Sequence, residues 1–66
     1  MEVKLLSGNE EIIVEAEMNS TVRQVLDLAK IHPSTVIVRF EQTVLPHATI
    51  LKGDITLDLT IVSSGG

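Results

Sequence analysis

The sequence contains no cysteine. No disulfide can staple it, and no thiol can act as a nucleophile or a thiolate metal ligand. Tryptophan and tyrosine are also absent, and Phe40 is the sole Phe/Tyr/Trp aromatic. Lys and Arg together number five against nine Asp and Glu, giving a formal net charge of −4. A nucleic-acid surface needs a basic footprint and usually stacking rings. Both are wanting, so no nucleic acid is expected as a partner. No apolar run approaches the roughly 20 residues of a membrane span. Met1-Glu2-Val3-Lys4 does not have the basic-then-apolar layout of a secretory signal. The expectation is a cytoplasmic, monomeric protein that engages no membrane. An acidic surface serves solubility, or a basic protein partner.

What is present is enough for a fold. Hydrophobic residues make up 44% of the 66 residues, too many for a disordered chain. A domain of this size buries roughly 60% of its unfolded surface, a marginal but feasible core.

Met1 to about Ser7 alternates, with Val3 and Leu5 on one face and Glu2, Lys4 and Leu6 on the other. Ser7-Gly8-Asn9-Glu10 is turn chemistry. Glu11 to about Glu17 alternates again. Ile12, Val14 and Ala16 face one side, and Glu11, Ile13, Glu15 and Glu17 the other. These segments read as an antiparallel hairpin with an acidic outer face. Lys4 is the expected opposite-charge neighbour, in an exposed pair worth at most about 1 kcal/mol.

The period then changes. Val22, Val25, Leu26 and Ala29 follow the spacing of one helical face, with Arg23, Asp27 and Lys30 on the wet side. Thr21 followed by Gln24 predicts a capping box. Pro33 pushes the residue before it out of the α region, so Ile31-His32-Pro33 is expected to end a helix over about Val22 to Lys30. Such a helix is too short to be stable alone and must lie on a sheet.

Val36 to Glu41 reads as a third strand, with Val36, Val38 and Phe40 on one face and Ile37, Arg39 and Glu41 on the other. Gln42-Thr43 reads as a turn into a short extended piece, Val44-Leu45, stopped by Pro46. His47 to Lys52 is a loop or a single helical turn, with Ile50 and Leu51 expected inward. Gly53-Asp54 is a turn dipeptide. In the closing stretch, Ile55, Leu57, Leu59 and Ile61 fall on every second residue, a strand with one buried face. One helix with four or five strands makes a two-layer α+β arrangement. The first and last strands have room to pair in parallel at its centre, because a helical crossover lies between them.

The chain divides into a domain over residues 1–62 and a tail of four small residues, Ser63-Ser64-Gly65-Gly66, expected to be flexible. The tail ends in a carboxylate that the domain is expected to present. Glycine threads a narrow channel because it has no Cβ. Composition alone also reads these residues as a frayed end.

With these features together, the whole chain resembles the β-grasp sulfur carriers and ubiquitin-like modifiers. That group includes the thiamine-pathway sulfur carrier, the small subunit of molybdopterin synthase and the archaeal small modifier proteins. The resemblance rests on the element order, on Glu41-Gln42-Thr43-Val44-Leu45-Pro46, on Gly53-Asp54 before the last strand, and on Gly65-Gly66. It implies a β-grasp fold, a mixed four- to five-stranded sheet packed on one helix. It implies that an activating enzyme spends ATP to adenylate Gly66, and that sulfur transfer makes a terminal thiocarboxylate. A thiamine, molybdopterin or tRNA precursor, or a sulfur-accepting synthase, then takes the sulfur. In the archaeal modifiers the same carboxyl also joins target lysines. Two positions depart from the family. Gln42 stands where a glycine is frequent, and Arg39, Asp58 and Thr60 replace the apolar recognition patch of ubiquitin.

Other candidates carry less. His32 and His47 lack further ligands at metal spacing, so no metal is expected. His32 is expected at the helix C-terminus and His47 in a loop. Glu15 and Glu17 share an outer strand face with no pocket expected around them, which reads as a solvated edge. No catalytic residue is assigned, no cofactor is expected to stay bound, and the chain is read as a substrate of its activating enzyme. Outward Leu6, Ile13, Ile37 and Val62 are candidates for partner docking, although scattered exposed apolar residues are normal. The alternative function is a β-grasp interaction module whose glycines are incidental.

Overall fold

The computed structural model describes residues 1–62; Ser63, Ser64, Gly65 and Gly66 lie outside the described residues. Five strands and one helix form two layers. The strands are β1 (Glu2–Ser7), β2 (Glu10–Glu15), β3 (Val36–Phe40), β4 (Thr43–Leu45) and β5 (Ile55–Ile61), and the helix is α1 (Val22–Leu28). A 3-10 turn, Pro33–Thr35, leads into β3. The sheet order is β2-β1-β5-β3-β4. β1 and β5 run parallel at its centre, and the other pairs are antiparallel.

Alternation decides which residues reach the core. Val3, Leu5, Val38 and Leu57 are fully buried on one sheet face, against Val22, Val25 and Leu26 of α1. The opposite face carries Lys4, Ile13, Thr56, Asp58 and Arg39 in the corresponding register positions. The expected ion pair forms there, with Lys4 Nζ 3.5 Å from Glu11 Oε1.

Two turns close the hairpins. Gly8, at φ +57°, is the first central residue between paired Ser7 and Glu10, the position that needs glycine in a II′ turn. The β3–β4 hairpin is less favourable. Phe40 pairs with Thr43, so the turn residues are Glu41 and Gln42, one position earlier than the sequence suggests. Both have positive φ, +49° and +71°, the I′ pattern that favours Asn-Gly. A side chain in the left-handed region costs about 1–2 kcal/mol. Replacing Glu41-Gln42 by Asn-Gly is therefore expected to raise stability by about 1–2 kcal/mol. A higher urea midpoint with unchanged slope would register it; an unchanged midpoint would contradict it.

The helix start matches its sequence signature. Thr21 Oγ1 accepts from Gln24 N–H at 3.2 Å, and Gln24 Oε1 accepts from Thr21 N–H at 2.8 Å. The helix end does not. It stops at Leu28, two residues short of Lys30, before Pro33 has any influence. Lys30 turns left-handed at φ +62°. Its N–H donates to Asp27 O at 3.0 Å, and Ile31 N–H donates to Leu26 O at 2.9 Å. That pair of bonds is a Schellman motif with lysine where glycine is usual. Lys30→Gly relieves the left-handed cost at some entropic loss, so stability is expected to rise by about 0.5–1 kcal/mol. A thermal midpoint at or below the parent's would refute this.

Residues 47–52 form no helical turn. His47 and Thr49 carbonyls accept from Arg23 and Val22 N–H, and Leu51 N–H donates to Ser20 O at 2.8 Å. This extended seam sends Leu51 inward, 4% exposed, and Ile50 outward at 54%. The expectation of an inward Ile50 is thus corrected: neighbours on an extended backbone point to opposite sides. Ile61 is corrected likewise, being 69% exposed. β1 ends at Ser7 opposite Leu59, so β5 runs past its neighbour and Ile61 has no strand on that side.

Candidate functional site

The terminal group that the sequence singles out, Gly66, and the residues leading to it, Gly65, Ser64 and Ser63, lie outside the described residues. What the structure positions is their root. β5 is the central strand, held on both sides by β1 and β3. Beyond its last residue, Val62 N–H donates to Thr35 O at 2.8 Å. The chain is therefore pinned up to Val62, on the side of the sheet where the 3-10 turn enters β3.

The four docking candidates do not form one patch. Ile13 of β2 stands opposite Lys4, while Leu6 of β1 stands between Glu11 and Asp58. Ile37 of β3 is opposite Thr60. The outward Thr56, Asp58 and Thr60 of β5 thus separate Leu6 and Ile13 from Ile37 and Val62. The latter two share a hollow of about 390 Å³ with Val44, Pro33 and Pro46. Val44, 58% exposed, was missed from sequence because a three-residue strand is too short to show a period.

Glu15 and Glu17 also differ from expectation. They line a shallow groove of about 460 Å³ between β2 and α1, together with Asp27, Gln24 and the exposed Leu28. The groove arises because α1 crosses beside the strand end, which alternation alone does not reveal. Among the described residues no polar or charged side chain is buried. The carboxylates there, on Glu15, Glu17 and Asp27, are all exposed to water.

His32 does not cap α1. It sits three residues past Ala29, the helix cap, and opens the 3-10 turn. It lies with His47, Arg23 and Ser34 around a further hollow of about 450 Å³. No group of three or more His, Cys, Asp or Glu able to hold a metal is found among the described residues. No helix there is long and apolar enough to cross a membrane.

No known family model matches the chain, and no curated protein matches it.

Proposed function

We propose that the chain is a β-grasp carrier whose terminal Gly66 carboxylate is charged by a partner enzyme and then used for transfer. The observation that carries this reading is the topology beneath the glycines. The strand leading to Ser63-Ser64-Gly65-Gly66 is the central β5, parallel to β1, in a five-stranded sheet crossed by one helix. A rigid root with a side-chain-poor end suits insertion of a carboxylate into another protein's active site.

The chemistry belongs to that partner. A carboxylate is a poor electrophile. Its oxygen attacks the α-phosphorus of ATP and releases pyrophosphate, leaving an acyl-adenylate. Hydrosulfide then attacks the acyl carbon and displaces AMP, which leaves a thiocarboxylate on Gly66. A lysine amine attacking the same carbon would give an isopeptide bond. The chain is thus a substrate of an ATP-dependent activating enzyme and a donor to a sulfur-accepting synthase or to target lysines.

A second reading is favoured by the apolar hollow of Ile37, Val44 and Val62, which suits an interaction module that only docks. Pyrophosphate exchange separates the two. With a panel of adenylating enzymes of the ubiquitin-activating type, exchange that depends on the added chain supports the carrier. Binding with no chain-dependent exchange supports the module.

A further inference from the structure

We propose that Arg23, His32 and His47, together with the Ser34 hydroxyl, form a binding hollow for a phosphate group. The proposal goes beyond the carrier reading and does not depend on Gly66.

The grouping is unusual for this chain. It has nine Asp and Glu, five Lys and Arg and two His. Yet both histidines and one arginine line a single hollow of about 450 Å³, and no carboxylate lines it. Neither ion pair among the described residues involves Arg23, His32 or His47. Three separate segments bring them together: the first turn of α1, the residue before the 3-10 turn, and the loop after β4.

Each segment is fixed by its backbone. Arg23 N–H donates to His47 O at 3.0 Å, which holds those two residues side by side. His32 O accepts from Thr35 N–H at 3.0 Å and from Thr35 Oγ1 at 2.7 Å. The three backbone segments are therefore held together before a ligand arrives, and binding has only the exposed side chains left to order. The helix end itself is not the receptor. Its first four N–H groups, from Val22 to Val25, already donate to Thr49 O, His47 O, Thr21 Oγ1 and Thr21 O. Recognition rests on side chains.

Those side chains suit phosphate. Guanidinium offers a planar fork that matches two phosphate oxygens. The imidazole and hydroxyl donors approach from other segments. A tetrahedral anion can satisfy donors from several directions, whereas a planar carboxylate presents only two oxygens.

The test is a titration of the ¹⁵N-labelled full chain, followed residue by residue by NMR. Inorganic phosphate is one arm and phosphoserine the other, against sodium chloride at matched ionic strength and pH. Saturable shifts centred on Arg23, His32, Ser34 and His47 are expected in at least one arm. The stronger arm tells whether the group is taken free or as an ester. Arg23→Gln should weaken binding about tenfold, as loss of a charge-assisted contact would. Arg39→Gln, on the outer sheet face, should leave it unchanged. If Arg23→Gln perturbs the fold, the double variant His32→Gln/His47→Gln is held to the same expectation. Shifts that never saturate, that appear equally at Lys4, Lys52 and Arg39, or that chloride reproduces would overturn the proposal.

Discussion

Leu57→Ala is expected to remove a large share of the protein's stability. Leu57 has no exposed surface. It lies in the middle of the central strand and faces Leu5 across the parallel pair. Truncating a buried leucine costs about 2–5 kcal/mol, the transfer term plus the cavity left behind. At the usual stability per residue, a chain of this length has only roughly 3–10 kcal/mol in total. No disulfide or buried polar network is present among the described residues to offset the loss. The matched control is Ile61→Ala, also on β5 but 69% exposed, which should change stability by less than about 0.5 kcal/mol. With no tryptophan or tyrosine to report by fluorescence, urea curves must be followed by far-ultraviolet circular dichroism. A loss below about 1 kcal/mol for Leu57→Ala would mean that the centre of the sheet is not where the core is most tightly packed.

Deleting Gly66 is expected to do the reverse, leaving the fold intact and abolishing activation. A chain ending at Gly65 still offers a carboxylate, but one retracted by about 3.5 Å. Misplacing a reacting group by about 1 Å can cost on the order of 100-fold, so a shift several times larger should drive adenylation below detection. The urea midpoint should match the parent, because among the described residues the buried ones all lie at or before Leu59. Activation of the shortened chain at the parental rate would remove Gly66 from the mechanism. It would leave the docking-module reading in its place.

Much of the fold is legible in the residues because local signals there agree with one another. Val3 and Leu5, Val14 and Ala16, and Val36 and Val38 mark the core faces of three strands, and all six are buried. Thr21 and Gln24 announce the helix start and form both bonds of the capping box. Parallel pairing of the first and last strands is made possible by the helical crossover between them, and that pairing is observed. The features that sequence misplaces depend on backbone geometry that side chains do not advertise. Lys30, Glu41 and Gln42 adopt left-handed conformations that would be expected of glycine or asparagine. Ile50 turns outward because its neighbours bond to the residues around the helix start, a contact between segments about thirty positions apart. Of the docking candidates, Leu6, Ile13 and Ile37 lie on the outward strand face, and Val62 lies past the end of β5. Which of them are neighbours depends on strand order, and β5 separates the four into two pairs.

The same distinction applies to the hollow around Arg23. No spacing in the sequence links Arg23, His32 and His47. They meet because the loop after β4 returns to the start of α1 and the 3-10 turn lies alongside. Only the folded chain reveals that grouping.

The most direct test of the carrier reading is the intact mass of the chain, terminating at Gly66, after incubation with ATP, sulfide and an adenylating enzyme of the ubiquitin-activating type. The account predicts a gain equal to one oxygen exchanged for sulfur, localised by fragmentation to Gly66. An unchanged mass, with an enzyme that converts its own carrier under the same conditions, would contradict it.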